Sequence, residues 1–318
     1  MTMKHRLLPA AGSAAVILIL AACAEGANDN GTESPEGNDA EEQAGEEGAE
    51  GDIQTEFVSY SSEQSFEDTE DALSEAVADA GMMVLGDLDQ AGALESAGAD
   101  IAGAQSFFVG NPTKGQEFFE ANPAIGSVIP VRMFVWADDE GNGNIGYFDP
   151  EPLFTAVDPD LAEGGTEMSE ATEMMATEAT DTTPEESDRV TAQFVTHTAD
   201  SSFEDTEDAL SEAVADAGMM VLGDLDQAGA LESAGADIAG AQSFFVGNPT
   251  KGQEFFEANP AIGSVIPVRM FVWADDEGNG NIGYFDPEPL FTAVDPDLAE
   301  GGTEMSEATE MMATEATQ

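Results

Sequence analysis

Residues 65–180 and 202–317 are identical over 116 positions, at a constant offset of 137. Whatever one copy folds into, the other must fold into as well. Solenoid units run about 20–50 residues, so a period this long describes two whole domains. Just upstream the identity decays. "EFVSYSSEQ" at 56–64 aligns with "QFVTHTADS" at 193–201, and the apolar pairs Phe57/Phe194 and Val58/Val195 persist while the polar neighbours differ. Folded units are therefore expected over 56–160 and 193–297. An acidic Glu/Thr/Met-rich linker is expected at 161–192 and a disordered acidic tail at 298–318.

The chain carries 66 Asp and Glu against 7 Lys and Arg, a net charge of −59. A field of that sign repels nucleic acid and anionic lipid surfaces, so neither is expected as a partner. The acids are spread along the chain, which describes a solvated coat; a metal-sequestering surface is the alternative. Each identical stretch holds 24 acids and two bases, Lys114 and Arg132 in the first, Lys251 and Arg269 in the second.

Lys4, His5 and Arg6 precede an apolar run, Leu7–Leu20, that ends in Leu20-Ala21-Ala22-Cys23. A basic start, a short apolar run and small residues before a cut describe an export signal over 1–22. The Leu-Ala-Ala-Cys ending resembles the lipobox of bacterial lipoproteins, which implies cleavage before Cys23, lipidation of its thiol and an extracytoplasmic membrane anchor. Cys23 is the only cysteine, so a disulfide or a cysteine nucleophile in the folded part is excluded. Residues 23–55 contain almost no large apolar side chains and are expected to form a disordered acidic tether.

Within a unit the pattern alternates between strand and helix. Phe57–Tyr60 reads as a strand. Ser65 suits a helix cap, with Asp68 three residues on and an apolar stripe through Phe66, Leu73 and Val77 that Gly81 ends. Met82–Leu85 and Gln105–Val109 read as strands, and Ala91–Ala97 as a weak helix or loop between them. Asn111-Pro112 opens a short helix that Asn122-Pro123 closes. Val128–Trp136 and Ile145–Phe148 read as a hairpin with its corner at Asn142-Gly143, and Pro152–Val157 as a last helix. The order is β-α-β-β-(α)-β-β-α: an α+β domain, mostly antiparallel, with helices on one sheet face.

"GMMVLGDLDQAGAL", "FFVGNPTKGQEFFEANPAIGSVIPVRMFVWADD" and "YFDP" resemble the bacterial family DUF302, a domain of unknown function. The resemblance covers about 56–157 and 193–294. It implies a fold like TATA-binding-protein-like domains and, because members pair as dimers, a pseudo-dimer of the two repeats. Members carry a histidine where this chain has Gln90, so no imidazole role carries over.

Catalysis has little to stand on. His5 lies in the export signal and His197 has Tyr60 as its counterpart, so no Ser-His-Asp or Cys-His set repeats in both units. No cofactor motif is present. The candidate binding residues are Asp87, Asp89, Asn111, Lys114, Arg132, Tyr147 and Asp149, with Asp224, Asp226, Asn248, Lys251, Arg269, Tyr284 and Asp286 in the second copy. Asn111 and Lys114 stand at a helix start, where backbone N–H groups favour an anion. Strand alternation puts Arg132, Phe134 and Trp136 on one face, and the expected corner adds Tyr147 and Asp149, a surface for a planar anion or a cross-strand ion pair. Asp87 and Asp89 face one way on a strand. Met168, Met174 and Met175 lie among acids as weak soft-metal ligands.

The expectation is a lipid-anchored, non-catalytic binding module, with a small-anion carrier or an enzyme using these residues as the alternative. Growth with a radioactive fatty acid tests the anchor. Wild type should take up label and Cys23→Ala should not; an unlabelled wild type overturns it.

Overall fold

Ser65 ends the first long strand and caps the helix after it. Its hydroxyl accepts from the Asp68 N–H at 3.2 Å and donates to the Asp68 carboxylate at 2.7 Å, so the helix start is held from both sides. In the computed structural model, which describes residues 53–318 apart from 97, 100 and 237, the first repeat runs β1 (Gln54–Thr55), β2 (Phe57–Ser65), α1 (Phe66–Asp79), β3 (Met83–Asp89), α2 (Gln90–Ser96), β4 (Ala104–Gly110) and α3 (Pro112–Ala121). A 3-10 turn (Pro123–Ser127), β5 (Val131–Ala137), β6 (Asn142–Phe148), α4 (Pro150–Val157) and α5 (Ala162–Thr180) complete it. The short strands β7 (Glu185–Glu186) and β8 (Val190–Thr191) lead into β9 (Phe194–Ser202), α6 (Phe203–Asp216), β10 (Met220–Asp226), α7 (Gln227–Ser233) and β11 (Ala241–Gly247). The second repeat continues with α8 (Pro249–Ala258), a 3-10 turn (Pro260–Ser264), β12 (Val268–Ala274), β13 (Asn279–Phe285), α9 (Pro287–Val294) and α10 (Ala299–Ala316). The export signal, Cys23 and most of the tether lie outside the described residues.

Each repeat is the expected α+β fold around an antiparallel sheet, ordered β3-β4-β5-β6-β2-β7 in the first and β10-β11-β12-β13-β9 in the second. Strand β5 starts at Val131 rather than Val128, because the Val128 and Ile129 N–H groups bond back to the Ile125 carbonyl in the turn.

Three expectations about the connections are corrected. The tether was expected to reach residue 55, yet Gln54 and Thr55 pair with Thr191 and Val190. The linker at 161–192 and the tail at 298–318 are helices α5 and α10 for most of their length. The reason is a stripe. Met168, Thr172, Met175, Ala176 and Ala179 are buried at helical spacing, and Met305, Thr309, Met312, Ala313 and Ala316 repeat it. The stripe is made of Met, Ala and Thr rather than branched aliphatics, so low hydropathy concealed an amphipathic helix. Met168 and Met175 are therefore core residues, while Met174 is exposed.

Each sheet has two apolar faces. On one, Tyr60, Met133, Val135, Ile145 and Tyr147 pack against Leu73, Ala76 and Val77 of α1 and Met175, Ala176 and Ala179 of α5. On the other, Phe57, Phe134 and Trp136 pack against Phe256, Ile262, Val265 and Ile266 of the second repeat. Phe271 and Trp273 return the contact against Phe119, Ile125, Val128 and Ile129. Two cores are thus internal to a repeat and two are shared, and both repeats belong to one unit.

The shared cores leave no slack at Gly126. A Cβ there would lie 2.2 Å from the ring of Phe271, which is fully buried. Gly126→Ala is expected to destabilise the chain by about 1–3 kcal/mol, read as a lower urea midpoint. An unchanged midpoint would show that the ring has room to move.

Candidate functional site

The β5–β6 hairpin decides what surrounds Arg132. Its corner is Asp138–Gly141, not Asn142-Gly143. The Asp138 N–H donates to the Asn142 carbonyl at 2.9 Å and the Gly141 N–H to the Asp138 carbonyl at 3.0 Å. The Asp138 carboxylate accepts from the Glu140 and Asn142 N–H groups and from Asn142 Nδ2; these bonds, the Asn142 side chain first, hold it below the usual carboxylate range. Gly141 takes φ 85°, a conformation that side chains resist. Phe134 consequently pairs with Gly146 and Val135 with Ile145. The pairing register is thereby shifted by an odd number of residues, with Trp136 opposite Asn144 rather than Asp149, and an odd shift exchanges the faces of one strand. Arg132, Phe134 and Trp136 do share a face, but Phe148 joins them, and Tyr147 lies on the opposite face beside Tyr60. Asp149 is not in the ladder. It caps α4, accepting from the Glu151 N–H and from the Ser169 hydroxyl at 2.6 Å, and Asp286 caps α9 through the Glu288 N–H.

Arg132 reaches into the other repeat. It donates to the carbonyls of Ser264, Val265 and Pro267 at 3.3, 3.0 and 2.9 Å, and Arg269 returns the bonds to Ser127, Val128 and Pro130. Between them Phe108 and Phe245 stack at 4.4 Å, and each guanidinium lies 5.2–5.5 Å from both ring centres, within cation–π range. Burial lowers both guanidinium pKa values to about 9.

Lys114 stays apart. Asn111 caps α3 by accepting from the Thr113 and Lys114 N–H groups and ties it to the Gly81 carbonyl, as Asn248 does for α8. The exposed Lys114 ammonium lies 3.4 Å from Glu167 of α5, and Lys251 lies 2.9 Å from Glu304 of α10. The two cations of a repeat do not share a cavity. Lys114 and Asn111 instead line a cleft of about 270 Å³ walled by Leu85, Phe118 and Met168 from the first repeat and by Leu225 and Leu231 from the second. The corresponding cleft beside Lys251 measures about 40 Å³.

The outer faces differ. Tyr60 and Tyr147 stack, with their hydroxyls 3.5 Å apart, and burial first, then Tyr60, raises the Tyr147 pKa. In the second repeat His197 stacks on Tyr284. Both bond Glu310 of α10, at 3.2 Å from His197 Nε2 and 2.6 Å from the Tyr284 hydroxyl. The Tyr284 bond, more than His197, holds Glu310 below its usual range. Among the described residues no three His, Cys, Asp or Glu side chains are placed to hold a metal ion.

The family model described as domain of unknown function DUF302 matches residues 58–179 and 195–316. The chain belongs to the DUF302 family. Both matches run through the long helices α5 and α10, which are thus part of the DUF302 domain. An uncharacterized conserved DUF302 protein from Bacillus stearothermophilus, solved by crystallography, is 20% identical; the match covers 39% of this chain and 98% of that one, with a TM-score of 0.37. No curated protein matches.

The residue that sequence reasoning passed over is Gln90 of the first DUF302 repeat. It is buried at the start of α2, donates to the carbonyls of Gly263 and Ile266 at 3.0 and 2.7 Å, and accepts from the Ser106 hydroxyl at 2.6 Å. Gln227 repeats the arrangement with Gly126, Ile129 and Ser243. Its signal was its position, directly after the strand that ends in Asp89.

The paired aspartates have separate tasks. Asp87 accepts from Gln105 at 2.9 Å and Asp89 caps α2 through the Gly92 N–H at 2.7 Å; Asp224 and Asp226 do the same with Gln242 and Gly229. Their field falls on α1. Glu70 is pushed up to about 7 by burial first, then by Asp71, Asp89, Glu67 and Asp87, and Glu207 likewise. A carboxyl whose folded pKa is raised contributes stability at low pH that is lost as pH climbs through the folded value. The urea midpoint should therefore fall between about pH 5 and about pH 8, and fall less in Glu70→Gln. Equal falls in both proteins would refute the assignment.

Proposed function

We propose that this DUF302 chain is a lipid-anchored extracytoplasmic protein whose paired repeats act as a non-catalytic binding module. The apolar cleft beside Lys114 is its ligand site. The observation that carries the reading is the cleft's construction. Its walls come from both repeats, so the site exists only in the paired form, and its lining is mostly apolar with one ammonium at the side. Concave apolar sites with few polar groups are where small ligands bind. The ligand that fits is an apolar small molecule, with Lys114 available to an anionic end once it leaves the exposed Glu167 carboxylate. Exposed ion pairs of this kind are worth about 0–1 kcal/mol, so that exchange costs little. The acidic coat suits a surface-displayed protein, and the Leu-Ala-Ala-Cys ending supports the anchor.

An anionic naphthalene dye such as anilinonaphthalene sulfonate tests the cleft in the unlipidated Cys23→Ala chain. Its fluorescence should rise saturably. Ala171→Trp, which places a ring in the cleft from α5, should weaken dye binding about tenfold or more while leaving the urea midpoint unchanged. Dye binding that survives Ala171→Trp would overturn the site.

A further inference from the structure

The described residues include five lysines and arginines. Lys114, Lys251 and Arg189 each have a carboxylate within 4 Å. Arg132 and Arg269 have none among the described residues, in a chain of net charge −59. Their bonds go to neutral carbonyls, which orient a guanidinium without neutralising it. Both guanidiniums are half-buried. A cation partly withdrawn from water without a counter-charge is unfavourable, and burial, with Arg269 acting on Arg132, pushes both below their usual range.

The two guanidiniums line one cavity of about 100 Å³ between the repeats. Every residue lining it has its counterpart 137 positions along the chain, so the cavity straddles the axis that relates the repeats. Besides the arginines, its walls are mainly apolar, with Phe148 and Leu153 facing Phe285 and Leu290. A second, independent observation is Ser127. It lines this cavity and is 8% exposed, and its hydroxyl is buried with no hydrogen-bond partner among the described residues. In the second repeat the equivalent hydroxyl, Ser264, donates to the Ala261 carbonyl at 2.8 Å. A buried hydroxyl left unbonded costs about 1–3 kcal/mol, so an acceptor in this cavity is favoured.

We propose that the cavity on the axis between the repeats is a binding site for a small apolar carboxylate, held by Arg132 and Arg269 with the Ser127 hydroxyl donating to it. Each guanidinium carries five N–H donors in a plane, and carbonyls of the other repeat take three bonds. The remaining edges match a carboxylate, which accepts in the same plane. The apolar walls select the rest of the ligand, a short alkyl or single aromatic group that fits about 100 Å³. This site is separate from the Lys114 cleft, because Arg132 and Arg269 do not line that cleft.

Calorimetric titration of the full-length chain with acetate, butyrate, benzoate and inorganic phosphate tests the assignment. Benzoate and butyrate should bind saturably, one per chain, and more tightly than acetate or phosphate. Arg132→Gln also removes three bonds between repeats, so Ser127→Ala is the deciding variant. It should weaken benzoate by about tenfold, the loss of one hydrogen bond to a charged group. Leu153→Trp, which occupies the apolar end, should weaken benzoate more than phosphate. Absence of saturable carboxylate binding, equal affinity for phosphate and benzoate, or an affinity unchanged in Ser127→Ala would each overturn the proposal.

Discussion

The structure depends on a sheet that is apolar on both faces. Helices α1 and α5 cover one face of the first repeat's sheet, leaving Phe57, Phe134 and Trp136 to be covered from elsewhere. A single repeat would expose them as an apolar patch of a kind that marks an association surface. The second copy supplies the cover with its own turn and its own helix, and receives the same from the first. The amides and guanidiniums at this seam are matched rather than excluded. Gln90 and Arg132 carry their donors to backbone carbonyls of the opposite turn, and Gln227 and Arg269 return them. Buried amides and half-buried guanidiniums that meet their acceptors only in one registry set how the two halves align.

How much of this was legible in the sequence differs from element to element. Ser65 with Asp68, and Asn111 with Pro112, are local chemistry complete within a few residues, and those helices begin where the pattern places them. The α+β order followed from periodicity. Two features escaped, one because its cause lies outside the segment and one because a single side chain inside it moved the turn. Helix α5 is amphipathic only when Met, Ala and Thr are counted as apolar, and what makes them so is the sheet and α1 beneath them. The hairpin corner was displaced because Asp138 collects three donors and moves the turn toward itself. That displacement took Tyr147 and Asp149 away from Arg132. The candidate site was then legible as residues but not as a site. Arg132 stands out in sequence as one of only two bases in its repeat, yet the groups it meets are about 130 positions away.

Near-identity between the copies makes their few differences informative. Tyr60 and His197 occupy the same place on the two sheets. The first meets a tyrosine hydroxyl and is fully buried, while the second meets a carboxylate on α10. Strand β7 pairs with β2 in the first sheet, and the second sheet has no corresponding pairing on β9 among the described residues. The polar character of His197 goes with that more open edge. The divergent stretch, 56–64 against 193–201, is also where the two sheets' surroundings diverge.

The seam between identical repeats has a further consequence for assembly. Each half presents the same surface, so the first half of one molecule is as good a partner for the second half of its neighbour as for its own. What separates a closed monomer from an open chain of molecules is the short connection through residues 181–193. Tethering raises the effective concentration of the proper partner to about the millimolar range. Crowding of many copies on one surface would compete with that tether directly, and the outcome would be read in molecular mass rather than in fold.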